Sequence, residues 1–464
     1  MKSNFFNLPN YFIALNLLIF INYDLYPIPV LLLVLLLIFN EYEIHLTKIQ
    51  KFIIKIQVFL FLVVLRIIPA IFNQYSSVWK KIFQQNYIIE GGIFEDLQIL
   101  LFSLSCNKSG KTSIDTYIIK FTENDMVISC SFELPYGYIF NFLKFNSSYI
   151  WITTLIVSTF ALSLFFKIYI SLIKLNNEKD FILISAIFLS PPINFVTERM
   201  NFDLLIFLIL YFLYSNPNIN YFFKSLIISI LSLLKFYPII ILILEFIINL
   251  FDKKIKSSLT YLIFINLNLY YFFYFESNLN SVNSFFRNTE SHRTFGLVND
   301  SLYISQIFQL DFLTSITILF CLILFFIYLI RNINFSKINT VDFYFLVMFL
   351  ILSLFINYDY RLIFLVILLK TVVKVKNKYF TSVFSLFIFS SPTLLHSYSK
   401  YFKLIENDEF YYFDFSFYLF IAVVIKILIE FLIDSILPED TLKKFNLLLR
   451  KLVNKFLKFL SKDL

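Results

Sequence analysis

The chain has 464 residues, 59% of them hydrophobic, and a mean hydropathy of +0.78. Repeated apolar stretches of membrane-spanning length make it a polytopic α-helical membrane protein and leave no need for a soluble globular domain. The formal net charge of +8 would suggest nucleic acid in a soluble chain. Here the lysines gather in loops and the tail, as on the cytoplasmic side of a membrane protein, so no nucleic-acid partner is expected.

Lys2 ahead of an apolar run resembles a secretory signal, but no small-residue cleavage site follows, and the segment reads as a retained first span. Apolar segments then run over 10–22, 26–39, 53–72, 148–170, 181–197, 203–214, 221–234, 238–250, 257–275, 312–330, 341–357, 361–370, 379–396 and 411–434. They predict an all-α bundle of about 11 to 14 spans, several short enough to be half-spans or re-entrant. The chain divides into N-terminal spans over 1–52, a core module over 53–434 and a basic amphipathic tail over 435–464. The 63 Phe and 30 Tyr accompany heavy Ile, Asn and Lys usage, the mark of AT-rich coding, and do not make a stacking platform.

Basic clusters orient the bundle. Lys253, Lys254 and Lys256, then Lys374, Lys376 and Lys378, then Lys443, Lys444, Arg450, Lys451, Lys455 and Lys458 all belong on the cytoplasmic side. That parity holds only if the chain breaks between Lys235 and Pro238, and it puts both termini in the cytoplasm. The outer face then receives the long 73–147 loop, the turn Glu198-Arg199-Met200-Asn201-Phe202-Asp203, the 235–238 break, the 276–311 loop and the turn Asn357-Tyr358-Asp359-Tyr360-Arg361.

The 73–147 loop is too long for a connector. After Gly91-Gly92 it carries Phe94-Glu95-Asp96-Leu97-Gln98-Ile99-Leu100-Leu101-Phe102, whose pattern predicts an amphipathic helix lying on the membrane surface. Cys106 and Cys130 share the loop, and either a disulfide or two free thiols fits their spacing. Ser109-Gly110-Lys111-Thr112 ends like a phosphate-binding loop, but the glycine required five positions before Gly110 is Ser105. Neither a zinc signature, a dinucleotide fingerprint nor a Ser-His-Asp order emerges from the three histidines, His45, His292 and His396.

Carboxylates, arginine and lysine gathered on an outer face suit one chemistry well. A carboxylate can take a proton from an acceptor hydroxyl, while Arg and Lys hold a phosphate whose charge grows as it leaves. Those are the needs of glycosyl transfer from a lipid-phosphate sugar, whose polyprenyl tail lies in the bilayer.

Ser190-Pro191-Pro192, then Glu198-Arg199 with Asn201 and Asp203 opening a span, then Lys235-Phe236-Tyr237-Pro238 resemble the GT-C superfamily of membrane glycosyltransferases. Within it, they are similar to the bacterial branch related to polyprenol-phosphate-mannose-dependent mannosyltransferases. Asn357-Tyr358-Asp359-Tyr360-Arg361 is similar to a further segment of that group, and the resemblance covers roughly 90–370. The family's usual glycine between Arg and Asn is Met200 here.

The resemblance implies a GT-C-like fold for 53–434 and residence in a bacterial inner membrane. It also implies a polyprenyl-phosphate sugar as donor, a lipid or glycan as acceptor, and no organic cofactor, with divalent-metal dependence left open. It makes Asp96 the general base, with Glu95 as runner-up and Asp115 and Asp125 in the same loop. Arg199 and Lys235 would bind the lipid phosphate; Asn201, Asp203 or Asp359 would shape the sugar site; His292-Arg293 would add a second phosphate contact. Glu198, Tyr237 and Arg361 complete the donor-binding set.

Each residue also has a structural reading. Asp96 fits an exposed carboxylate on a surface helix, and Glu198-Arg199 fits a local ion pair capping a turn, with Asp203 as a helix N-terminal acid. Lys235 fits a snorkelling anchor, Asp359-Arg361 a structural pair and His292 an ordinary loop residue. Two other functions share this composition. A transporter also uses broken helices and buried charges, and a polysaccharide polymerase or ligase uses pyrophosphate-linked donors.

Overall fold

The computed structural model describes residues 8–21, 26–39, 44–71, 94, 96–98, 101, 116–119, 126–129, 149–174, 177–235, 237–276, 294–295, 297–330, 333, 338–354, 357–369, 378–389 and 415–436. These residues are mainly helical. In chain order α1 is Leu8–Asn16, α2 Leu18–Ile21, α3 Pro27–Phe39 and α4 Lys48–Phe59. A π turn over Leu60–Val64 then leads straight into α5, Leu65–Ile71. Next come α6 (Ile150–Ile173), α7 (Glu178–Phe188), α8 (Pro191–Arg199), α9 (Phe202–Ser215), α10 (Tyr221–Leu234), α11 (Ile239–Phe251) and α12 (Ile255–Glu276). The remaining helices are α13 (Leu297–Phe308), α14 (Phe312–Leu329), α15 (Thr340–Leu354), a 3-10 helix over Asp359–Leu368, α16 (Lys378–Phe389) and α17 (Phe415–Ile436).

The described residues meet the expectation of a helical fold. Two short antiparallel ladders are present: β1 (Thr116–Ile119) with β2 (Met126–Ser129), and β3 (Thr294–Phe295) with β4 (Asn357–Tyr358). In the second, Thr294 faces Tyr358 and Phe295 faces Asn357. The expected 276–311 loop also contains α13, and the apolar run 361–370 lies largely in the 3-10 helix instead of a span.

By length and composition, two described helices can cross a membrane, α6 and α14, and the bent pair α7–α8 makes a third if it is one span. Helices α3, α9, α10, α11 and α15 are apolar but shorter, about 20 Å each at 1.5 Å per residue against a hydrocarbon core of about 30 Å. The sides of the bundle are themselves apolar. Ile152, Ile156 and Phe160 make an exposed stripe on α6, and Ile255, Leu259, Ile263 and Leu267 make another on α12. Each repeats every four residues, one face of a helix.

Two chain breaks position the site. At the first, Ser190-Pro191-Pro192 interrupts the apolar run, because a proline ring collides with the carbonyl four residues earlier and is tolerated best in a helix's first turn. α7 and α8 consequently meet at 51°. Met200 then takes the left-handed conformation, φ 50° and ψ 48°, and the Asn201 N–H reaches back to the Val196 carbonyl at 3.2 Å. This is a Schellman closure, normally built on glycine. Met200 adopts it with its side chain wholly buried, so core packing offsets the roughly 1–2 kcal/mol that a Cβ costs there.

At the second break α10 closes with the Lys235 N–H on the Leu231 carbonyl at 2.9 Å. Lys235 itself is extended, and Pro238 caps α11. The break that the lysine distribution demanded is therefore present.

Candidate functional site

Asn201 opens α9 as its N-cap, accepting the Asp203 N–H on Oδ1 at 2.9 Å. This satisfies one of the helix's unpaired amide groups, and the helix dipole favours an acid in the first turn. Asp203 is that acid, and it is fully buried. A carboxylate out of water costs several kcal/mol unless charge and hydrogen bonds compensate. Compensation comes from the second break: Lys235 Nζ donates to Asp203 Oδ1 at 2.8 Å and the Tyr237 hydroxyl to the same oxygen at 2.6 Å. Lys235 Nζ also lies 3.4 Å from Asn201 Oδ1. The Lys235 side chain is one-quarter exposed and its ammonium is paired with a buried carboxylate, so it is a pinned cation in place of a snorkelling anchor.

The long loop supplies the other half. The Phe94 N–H donates to the Glu198 carbonyl at 2.8 Å, taking up one of the carbonyls that the end of α8 leaves unpaired. Phe94 has φ 60° and is wholly buried, and its carbonyl accepts the Gln98 N–H at 3.1 Å to start a helical turn. Asp96 sits in that turn. Its Oδ1 accepts Arg199 Nε at 2.9 Å and Nη2 at 2.6 Å, and its Oδ2 accepts Asn201 Nδ2 at 2.5 Å.

Arg199 pairs with Asp96 across 103 residues, a partner beyond the adjacent Glu198, which is buried in α8. The amphipathic stretch that Phe94 opens packs its described apolar residues into the protein. Leu97, Gln98 and Leu101 are buried, because an amphipathic pattern serves an apolar groove of the protein as well as a lipid face. Asp96 is thus no exposed surface carboxylate.

The result is a connected chain, Arg199–Asp96–Asn201–Lys235–Asp203–Tyr237, in which the Asp96 carboxylate and the Lys235 ammonium meet at the Asn201 amide. Beside it the 3-10 helix packs through Phe364, whose ring lies 5.5 Å from that of Tyr237 and 6.2 Å from that of Phe207. Asp359 and Arg361 belong to this helix, so the backbone brings their segment to the site. The β3–β4 ladder joins that segment to the strand that follows His292-Arg293. His292, Arg293, Glu95, Asp115, Asp125, Cys106, Cys130 and the Ser109–Thr112 segment lie outside the described residues, as does the tail beyond 436. Among the described residues no group of three or more His, Cys, Asp or Glu side chains is placed to hold a metal ion.

Several buried polar groups escaped the sequence reading, Arg66 and Glu245 among them. Arg66, just past the π turn, is fully buried, with its guanidinium 5.0 Å from the Phe61 ring centroid and Nη2 donating to Asn194 Oδ1 on α8. The second is Glu245 on α11. It accepts Lys224 Nζ from α10 and the Tyr214 hydroxyl from α9 at 3.0 Å, while the Lys224 ammonium lies 3.9 Å from the Tyr214 ring centroid. Both were visible by the signal that singled out Lys235, an ionisable residue inside an apolar run. Lys224 and Tyr214 lie about 16 Å along their helices from Lys235 and Asp203, at about 1.5 Å per residue. The Glu245 cluster therefore fastens the far end of the same helices.

Comparison of the chain with protein-family models, with curated proteins and with solved structures gives no match.

Proposed function

We propose that the chain is a multi-pass membrane glycosyltransferase, moving a hexose such as mannose from a polyprenyl-phosphate donor to a lipid or glycan acceptor on the extracytoplasmic face. The observation that carries this reading is the convergence of Asp96 with Arg199 and Lys235 around Asn201. It couples an acid–base group to two cations at one end of an apolar helix assembly. The resemblance to GT-C enzymes noted in the sequence supports the same reading, and the exposed apolar stripes on α6 and α12 supply the lipid-facing surface that it needs.

In this reaction the Asp96 carboxylate takes the proton of the acceptor hydroxyl as the oxygen attacks the anomeric carbon. The bond from that carbon to the donor phosphate oxygen breaks, and its electron pair leaves with the phosphate. Arg199 and Lys235 hold the phosphate as its charge grows, in a site where few water dipoles compete. Arg199 suits a phosphate because its planar fork meets two oxygens at once. Asp203 and Tyr237 position Lys235, and Asn201 fixes its distance from Asp96.

The chain reconstituted in vesicles and offered labelled hexose on a polyprenyl monophosphate, on a nucleotide and on a polyprenyl pyrophosphate tests this. Transfer from the monophosphate alone is expected. Use of the pyrophosphate-linked sugar alone would assign a polymerase or ligase. The breaks before α8 and after α10 also favour a transporter as second reading, since transporters bind ions at such interruptions. Movement of lipid or solute across the vesicle without any new glycosidic bond would select it.

A further inference from the structure

Asp96 and Arg199 already satisfy each other. One Asp96 oxygen holds two guanidinium donors, and the other holds the Asn201 amide. In this arrangement the carboxylate meets donors where it would meet an acceptor hydroxyl, and the guanidinium faces a carboxylate where it would face a phosphate. The two anions are interchangeable to the fork, since one anionic oxygen of either can accept both guanidinium donors. Both side chains are about four-fifths covered, with exposures of 18% and 19%. An incoming anion therefore gains Arg199 by taking the place of Asp96. Asp203 is held differently: it is fully buried and gripped by both Lys235 and Tyr237, so it stays.

We propose that Asp96 is an internal stand-in for the donor phosphate. The phosphate of the polyprenyl lipid displaces it from Arg199, and the released carboxylate then turns to the acceptor hydroxyl. This rests on the lipid-phosphate reading above and adds an order to it: without donor the base is held by its own phosphate ligand, so donor binds before acceptor is activated. The exchange needs side-chain rotation alone, because the Phe94 N–H fastens the loop backbone to the Glu198 carbonyl. Competition of this kind is reciprocal, and whatever loosens Asp96 from Arg199 strengthens the phosphate's hold by the same factor.

The test is equilibrium binding of a radiolabelled short-chain polyprenyl monophosphate, carrying no sugar, to the full chain in lipid nanodiscs. Asp96→Asn should bind it roughly tenfold more tightly than the unaltered chain, a factor equal to about 1.4 kcal/mol. The gain should vanish when Arg199→Gln is added, as a double-mutant cycle requires of two groups that interact. Equal or weaker binding by Asp96→Asn, while the unaltered chain still binds through Arg199, overturns the exchange and leaves the lipid-phosphate reading standing. Binding by neither protein, or binding indifferent to Arg199→Gln, overturns both. If Asp96→Asn does not fold, cryo-electron microscopy of the unaltered chain with the same probe decides: Arg199 should sit on the phosphate and clear of Asp96. An intact Arg199–Asp96 pair beside a bound phosphate contradicts the proposal.

Discussion

Asp96 and Arg199 stand 103 residues apart in the chain and meet with two guanidinium donors on one carboxylate oxygen, at 2.9 and 2.6 Å. The pair joins the long loop to the end of α8, and in the proposed reaction it joins a base to a phosphate ligand. Asp96→Asn should lower sugar transfer by about 10²- to 10⁴-fold, the usual scale for a lost acid–base group. Membrane insertion should be unchanged, since the substitution alters little packing. Transfer at the unaltered rate would remove Asp96 from the chemistry.

Lys235 protects a buried carboxylate. Lys235→Met leaves Asp203 with Tyr237 but without its cation, and the chain should lose about 3 kcal/mol of stability, as when one partner of a buried pair is removed. Adding Asp203→Asn should restore much of that loss while donor use stays weak. Thermal unfolding in detergent reads the first effect, and donor KM and kcat read the second. A Lys235→Met chain with unaltered melting and kinetics would make Lys235 an ordinary anchor.

Met200 holds a left-handed turn that glycine usually makes. Met200→Leu should be tolerated, because volume and flexibility at Cβ are kept. Met200→Val should cost about 1–3 kcal/mol more, since a β-branched side chain fits a positive φ poorly. Comparison of the two melting temperatures checks this, and equal values would mean that the turn relaxes.

Glu245 and Lys224 form a second pair that the proposed reaction does not use. Lys224→Met should destabilise by about 3 kcal/mol, and Lys224→Met with Glu245→Leu should come close to the unaltered chain, as apolar replacement of a whole buried pair often does. Transfer by the folded double variant should persist. Loss of transfer in a double variant with normal melting would give this end of the helices a part in the reaction.

Some of this was legible in the sequence. The 235–238 break could be read from Pro238 and from the expectation that the lysine clusters share one side of a membrane. Asp203 and Lys235 stood out as charges in apolar runs. The Asp96–Arg199 contact could not be read in the same way. It depends on Phe94 turning left-handed to reach the Glu198 carbonyl, and nothing in a Phe-Glu-Asp sequence announces such a turn. The amphipathic pattern at 94–102 is equally compatible with a lipid surface and a protein groove, and burial of Leu97 and Leu101 decides between them. Apolar runs also failed to distinguish long helices from other elements. The run at 361–370 largely forms a 3-10 helix, and 181–197 is bent at 51° by two prolines. Two-residue strands such as Asn357–Tyr358 carry no periodicity to detect.

The most direct measurement is release of free polyprenyl monophosphate from a labelled polyprenyl-phosphate hexose in vesicles that contain the purified chain and an acceptor glycolipid. Release matched mole for mole by a new glycosidic bond, and strongly lowered by Asp96→Asn and by Arg199→Gln, is the expected result. A chain that is folded and inserted yet releases no polyprenyl monophosphate with any hexose donor, or releases it equally well with both substitutions, would contradict the proposed reaction.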